Sequence, residues 1–433
     1  MFESSRTIDF PDDSARDDLK RLYRDANEII VRSIAANLPH QAVKNALAEH
    51  VFSRGLHLLA IGKAAWSMSR AAYEQLGGRI ESGIVITKYG HSNGAIGNFE
   101  IFEAGHPIPD QNSVAATERA IELASGLMES DELIFLVSGG GSALFEKPLP
   151  GVTLDDMARL SANLLASGAD ISEFNIVRKR LSAVKAGRFA KLCEPARVFS
   201  VVLSDVIGDR LDIIASGPAA PDLSTVNDAW SAIERYKIPV SDALAERLNL
   251  ETPSETPNVT SVVSGSVRTL CKAAEDVSRS LGYEPFVLCT EMDCEAREAG
   301  RLISSAARAI KSGDSAIKPP CAVIFGGETV VRIRGSGRGG RNQELALAAS
   351  AGIDGLEGVV IFSFGSDGTD GPTDSAGGIV DGEVMSEFRA RGLTPHTFLE
   401  NNDSHTILKK VRRLVNTGPT GTNVNDISVL LIL

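Results

Sequence analysis

The chain has 433 residues and a formal net charge of −12, from 44 Lys+Arg against 56 Asp+Glu. Its 43% hydrophobic and 23% charged residues are a globular balance that excludes a wholly disordered or collagen-like chain, and its length predicts two domains. Such acidity excludes a surface built to coat nucleic acid or an anionic membrane, so an anion bound here must meet a local basic pocket.

Residues 1–6 carry neither a basic n-region nor an apolar h-region, and no secretory signal is expected. No apolar run approaches the ~18–20 residues of a membrane span. Cys193, Cys271, Cys289, Cys294 and Cys321 are irregularly spaced without a C-x-x-C pair, and with scattered histidines they form no zinc signature. Reduced thiols in a cytoplasmic protein are expected.

In chain order, residues 15–49 show helical periodicity through Leu19, Leu22, Tyr23, Ala26, Ile29 and Ile30. Residues 56–61 then read as a strand, 63–75 as a helix, 84–87 as a strand, 113–128 as a helix and 133–137 as a strand. Residues 154–193 read as mostly helical, followed by a strand at 198–203. This alternation predicts a parallel, doubly wound sheet. Thr252, Pro253, Ser254, Thr256 and Pro257 crowd the 248–257 segment, which predicts a domain boundary there. Beyond it, 259–263, 286–288, 321–325, 330–334, 359–364 and 427–433 read as strands, and 267–281, 296–311 and 343–351 as helices.

Two glycine-rich loops stand out. Ser138-Gly139-Gly140-Gly141-Ser142 directly follows a strand. Consecutive glycines cost backbone entropy, and at a strand end they let amides approach a phosphate closely; a plain tight turn is the alternative. Gly335-Ser336-Gly337-Arg338-Gly339-Gly340-Arg341 satisfies G-x-G-x-x-G. A dinucleotide site wants an acid about 20 residues on, at the end of the next strand. Asp354 and Glu357 come too early for it and Asp367 too late. A protein-kinase loop would need downstream H-R-D and D-F-G, and both are missing. With Arg332 and Arg334 just before it, the loop reads as a phosphate-binding segment or a solvated basic turn. Gly90-His91-Ser92-Asn93-Gly94 matches G-x-S-x-G but leads into a poor helix start, so it reads as a turn.

Lys63 opens a helix after the 56–61 strand, where a cation opposes the macrodipole; it reads as aimed at a substrate anion or as a snorkelling surface lysine. Arg178, Ser182 and Lys185 share one helical face, basic for a ligand or simply solvated. Acids gather after strands in Ser204-Asp205-Val206-Ile207-Gly208-Asp209 and Gly365-Ser366-Asp367-Gly368-Thr369-Asp370. There they suit Mg²⁺ held through phosphate and water, a general base, or Asx-turns. Together these parts suit phosphoryl transfer, which needs cations and backbone donors more than a special nucleophile.

The sequence resembles the glycerate 2-kinase family, the glycerate kinases with a C-terminal MOFRL domain. The resemblance rests on Ile61-Gly62-Lys63-Ala64-Ala65, Gly105-His106-Pro107-Ile108-Pro109-Asp110, residues 137–144 and 175–187, Leu203-Ser204-Asp205-Val206 with Ser216-Gly217-Pro218, Gly326-Gly327-Glu328-Thr329, residues 337–344 and 365–377, and Asn401-Asn402-Asp403-Ser404 through residues 418–424. It implies an α/β chain: a Rossmann-like doubly wound domain over 1–248, a smaller α/β domain with the MOFRL region over 258–433, and an active site in the interdomain cleft. It implies transfer of the ATP γ-phosphoryl, with Mg²⁺, to the 2-hydroxyl of D-glycerate by a cytoplasmic monomer or homodimer with small-molecule partners, no nucleic acid and no membrane.

Residue by residue, the resemblance implies a catalytic Lys63 and Arg341, assisted by Asp205. The glycine loops themselves are read as holding nucleotide phosphates, at Ser138, Gly139, Gly140, Gly141 and Ser142 and at Gly337, Arg338 and Gly339. Substrate contacts fall to Arg178, Lys185 and Glu328, and Mg²⁺ to Asp205, Asp209 or Asp367; whether Asp205 or Asp367 binds metal or draws the proton stays open. Arg180 stands where relatives often carry His, and Ala186 where Gly is commoner. The rival enzyme reading is an NAD(P)H-dependent hydroxypyruvate reductase, supported in the sequence only by the 335–340 match. A third is a non-catalytic sugar-acid binding protein.

Overall fold

The computed structural model describes residues 7–10, 15–52 and 55–433; residues 1–6, read above for a targeting signal, lie outside them. The chain forms two compact units, Pro39–Ser264 and a second made of Met1–Leu38 with Gly265–Leu433. The periodic 15–49 stretch is thus divided. Helix Asp17–Ala36 belongs to the second unit and helix Pro39–Ala48 to the first.

The first unit is built on six strands: β1 (Leu56–Ile61), β2 (Ile80–Lys88), β3 (Glu100–Ala104), β4 (Glu132–Val137), β5 (Arg197–Leu203) and β6 (Val259–Gly265). Their order is β3-β2-β1-β4-β5-β6, the order of dinucleotide-binding sheets, and β1 to β5 pair in parallel throughout. Alternate side chains go to opposite faces. Leu59, Ile61, Leu133, Phe135 and Val137 join a core with Ala116, Ala120 and Phe189, whereas Leu58, Ala60, Ile134 and Leu136 join one with Val43 and Met68. Helices cover both faces, which explains why all six residues of β4 are buried.

The Pro/Thr-rich segment does not end this unit. Val198 donates its amide to the carbonyl of Asn258 at 2.9 Å, Thr252 Oγ1 donates to Asp222 at 2.8 Å, and the chain continues into β6 beside β5. The chain leaves the unit after Ser264, beyond the 248–257 segment. A proline-rich stretch marks a loop, but only long-range pairing decides whether that loop returns to its sheet.

The second unit carries β7 (Glu284–Met292), β8 (Cys321–Gly327), β9 (Val359–Gly365), β10 (Gly377–Asp381), β11 (Leu414–Val415) and β12 (Asp426–Ile432), in the order β11-β10-β9-β12-β8-β7. β12 runs antiparallel to both β8 and β9, and β10 antiparallel to β9 and β11, so the sheet is mixed where alternation predicted parallel pairing. An apolar run such as Ile427 to Ile432 signals burial on both faces and carries no direction.

The predicted strand at 330–334 is irregular apart from one bridge, Val330 to Glu295. Its backbone is taken by a side chain instead. Asn402 Nδ2 donates to the Arg332 carbonyl at 3.1 Å, and the Arg334 amide donates to Asn402 Oδ1 at 2.6 Å. No helix among the described residues is long and apolar enough to cross a membrane.

Candidate active site

In an open parallel sheet, ligands collect where the strand order reverses, outside the carboxyl ends of the strands. Here that point lies between β1 and β4, and it joins Gly62-Lys63 to the triple-glycine loop. The Lys63 amide donates to the Gly139 carbonyl at 2.9 Å and the Ala64 amide to Ser138 Oγ at 3.1 Å. A Cβ on Gly62 would lie 2.2 Å from Ser138 Oγ, so only glycine permits this approach. Gly140 adopts φ +86°, the left-handed region that favours glycine. The amides of Gly139 and Gly140 donate to no protein acceptor among the described residues. The Lys63 side chain is exposed and has no carboxylate partner among them. The tight-turn alternative therefore leaves two donors and a cation unspent.

Neighbouring strand ends complete this region. His106, just past β3, lies against the loop: a Cβ on Gly140 would meet its ring at 2.9 Å and Lys63 Cγ at 3.2 Å. Asp205, past β5, lies on the other side, where a Cβ on Gly139 would come within 2.3 Å of its Oδ2. Ser142 Oγ hydrogen-bonds Ser216 Oγ at 2.8 Å. Two further side chains converge on the Ser142 carbonyl, Arg178 at 3.5 Å and Lys185 at 2.5 Å.

Lys185 departs from the expected substrate contact. Its side chain is fully buried and bonded to the equally buried Glu146. Burial pushes its pKa down to about 8, with Glu146 working against that. It anchors the loop from behind. Lys179, Arg180 and Arg188 of the basic run are likewise spent on structure. Lys179 pairs with Asp222 at 2.7 Å, and buried Arg180 donates to the Ser224 carbonyl at 2.6 Å and the Leu250 carbonyl at 3.0 Å. Arg188 ties down the carbonyls of Lys179, Arg180 and Ser182. Ala186 holds φ +54°, in the left-handed region that favours glycine.

In the second unit, Arg341 opens helix Arg341–Ser350. Its Nη2 donates to Asp426 Oδ1 at 3.0 Å, its Nε bonds the same carboxylate, and its Nη1 lies 3.0 Å from Glu328 Oε1. Burial works against the charge of Arg341, but the hydrogen bond and charge of Asp426 hold it firmly protonated. Glu328 also accepts from Asn425 Nδ2 at 3.1 Å. Arg341 and Glu328, both singled out in the sequence, do meet here.

The chain itself engages the first four amides of the 335–340 loop. The Gly335 amide donates to Asn402 Oδ1 at 3.0 Å, Ser336 to Asn401 Oδ1 at 3.2 Å, Gly337 to the Asn401 carbonyl at 2.8 Å and Arg338 to Asp403 Oδ1 at 3.0 Å. A Cβ on Gly337 would strike Asp403 and one on Gly339 would strike Ser404 Oγ, at 2.4 and 2.2 Å. Gly337 and Gly339 thus serve close packing, and the Arg338 guanidinium turns to the Pro372 carbonyl at 3.1 Å.

The expected metal carboxylates are divided as well. Asp205 and Asp209 belong to the first unit and Asp367 to the second. Asp367 Oδ1 accepts from the Thr369 amide at 2.9 Å, the Asx-turn alternative. Among the described residues, no group of three or more His, Cys, Asp or Glu is arranged to hold a metal.

The sequence matches the family described as "Domain of unknown function (DUF4147)" over residues 25–249 and the MOFRL family over residues 321–426. It is 51% identical over 416 residues to the D-glycerate 2-kinase of Thermotoga maritima, covering 96% of this chain and 100% of that protein. The chain belongs to the glycerate kinase family with a C-terminal MOFRL domain. Within that family, the crystal structure of the Thermotoga maritima glycerate kinase superposes with a TM-score of 0.93 over 95% of this chain and 99% of that one. The glycerate 2-kinase of Pyrococcus horikoshii is 38% identical, covering 93% and 96%. A protein of Agrobacterium vitis called a putative hydroxypyruvate reductase is also 38% identical, covering 87% and 98%. The family resemblance was legible in the sequence. His106, Glu146 and Asp426 received no role there, although His106 lies inside the Gly105-His106-Pro107 motif that carries the resemblance.

Proposed function

We propose that the protein is an ATP-dependent D-glycerate 2-kinase that yields 2-phosphoglycerate. The observation that carries this reading is the meeting of exposed Lys63 with the unspent amides of Gly139 and Gly140 at the strand-order reversal. Phosphoryl transfer needs charge stabilisation aimed at equatorial phosphate oxygens, and preorganised amides with a cation supply it. In this reading Ser138 to Ser142 cradle the nucleotide phosphates. Lys63 neutralises the transferring phosphoryl, Arg178 faces the substrate, and Arg341 is the second cation of the reaction.

The Mg²⁺ of this reading arrives on ATP, with phosphate and water as most of its ligands. Asp205, against Gly139, is the carboxylate we assign to it. When bound, the ion supplies charge neutralisation across the phosphates. Localisation in the cytoplasm, partners limited to D-glycerate and ATP, and a monomer or homodimer belong to the same proposal.

The reductase reading loses its sequence support, because the 335–340 loop follows an irregular segment and four of its amides are engaged internally. Incubation with D-glycerate and ATP, read by ³¹P NMR, tests the proposal. The expected product carries phosphate on the 2-oxygen. NADH oxidation with hydroxypyruvate and no ATP consumption would overturn it.

A further inference from the structure

We propose that His106 is the general base of this reaction: its imidazole takes the proton of the acceptor hydroxyl beside the Gly139-Gly140 amides and Lys63. The inference rests on the kinase reading above and adds the residue that activates the nucleophile.

The placement comes from the sheet. The ends of β1, β2, β3, β4 and β5 deliver Lys63, Lys88, His106, the triple-glycine loop and Asp205 to one side of the first unit. The His106 ring lies so close to Gly140 that a Cβ there would come within 3.0 Å of Nε2. A nitrogen so near an unspent amide is within reach of a group bound by that amide. Among the described residues, neither ring nitrogen of His106 has a hydrogen-bond partner, although the ring is half-buried. The half-buried histidines at the opposite, amino-terminal ends of the strands are spent, His57 on Ser82 at 2.8 Å and His50 on Glu132 at 2.7 Å.

The surroundings decide the protonation state. Burial comes first, and then the charges of Lys63, Lys88 and His91 hold the His106 pKa below its ordinary value. Lys63 faces it from the loop after β1, Lys88 from the end of β2 and His91 from the turn that follows. On its own connection, Asp110 is occupied by Tyr89 at 2.6 Å and by the Ser113 amide at 3.0 Å. Asp205 lies on the Gly139 side of the loop. A residue serving only to attract phosphate would be charged at neutral pH. A neutral imidazole among lysines instead offers a lone pair next to bound anions, and its position leaves Asp205 to the cation that accompanies ATP.

The step balances without another reactant. The 2-hydroxyl of D-glycerate gives its proton to His106, and its oxygen forms the bond to the γ-phosphorus. The bond from that phosphorus to the β,γ-bridging oxygen breaks and its electron pair leaves with ADP. The imidazolium, disfavoured beside Lys63 and Lys88, then releases the proton to solvent. General bases of this kind contribute roughly 10²–10⁴-fold.

The test compares wild type, His106→Gln and, as control, His396→Gln at an exposed histidine of the second unit, with D-glycerate and ATP from pH 5 to 8, each variant first checked for a native melting transition. For wild type, kcat is expected to fall on the acid side as His106 gains a proton. His106→Gln should lose about 10²-fold or more in kcat at pH 7 and lose that acid limb, with the KM for ATP within a few-fold, whereas His396→Gln keeps both rate and limb. A His106→Gln variant within about threefold of wild type, or one that is slow yet keeps the acid limb, would overturn the assignment. Failure of the wild type to phosphorylate D-glycerate would instead sink the kinase reading, and this assignment with it.

Discussion

The amide of Lys63 donates to the carbonyl of Gly139 at 2.9 Å, and this one hydrogen bond ties the loop after β1 to the loop after β4. The residues stand 76 positions apart (139 − 63) in the sequence. The bond fixes where the lysine stem begins relative to the unspent amides, so a cation and two backbone donors reach a bound anion without reorganisation.

Lys63→Ala keeps that backbone bond and removes only the ammonium. It should lower kcat by about 10²-fold or more, the scale of one lost electrostatic donor, with the melting temperature nearly unchanged. Arg341→Ala should match it in turnover but also destabilise the protein, because Asp426 then stays buried without its cation. A coupled ADP-release assay and thermal melts separate the two; near-normal turnover in either would remove that residue from the proposed machinery.

Gly140→Ala asks an L-residue to hold φ +86° with its methyl 2.9 Å from the His106 ring. Strain in the left-handed region alone costs about 1–2 kcal/mol. A lower melting temperature and a loss of turnover larger than the loss of stability are expected in parallel melting and kinetic measurements.

Lys185→Met takes the bonded cation from the fully buried Glu146 carboxylate and leaves only Arg178, 3.9 Å away. Breaking such a pair costs about 3–5 kcal/mol, so urea unfolding should show a large loss. The double variant with Glu146→Gln should recover much of it, since the uncompensated charge is gone. For the folded fraction, the KM for D-glycerate should change little, as befits a residue that holds the Ser142 carbonyl rather than the substrate.

Asp370 caps the helix Arg341–Ser350, accepting from the amides of Asn342 and Gln343 at 3.1 and 2.9 Å. Burial outweighs these bonds and raises its pKa to about 6. A carboxyl that holds its proton more tightly folded than unfolded adds stability that is complete below its unfolded pKa, about 4. That contribution is lost as pH rises through about 6. Asp370→Asn should therefore flatten the fall in unfolding free energy between about pH 4 and pH 6, measured by urea titration at several pH values. An unchanged slope would show that Asp370 does not titrate there.

Most strands and the main helices of both units were legible, because a run such as Leu133 to Val137 or the periodicity of residues 296–311 is a local property of neighbouring side chains. The 330–334 segment misled for the same reason: its alternation looks like a strand, but Asn402 takes its backbone groups from far along the chain. The basic run from Arg178 to Arg188 advertised a ligand surface, yet Asp222, Glu146 and several carbonyls absorb nearly all of it.

The sequence on its own determined the α/β class, the family, the triple-glycine loop and the candidacy of Lys63 and Arg341, since residue type and spacing carry that information. Tertiary structure alone decided how each glycine loop uses its amides. Gly139 and Gly140 leave theirs unspent, while Gly335 to Arg338 give theirs to Asn401, Asn402 and Asp403. Both loops are equally glycine-rich, and glycine only permits close approach. What approaches, a ligand or another part of the chain, is set by hydrogen-bond partners more than sixty residues away.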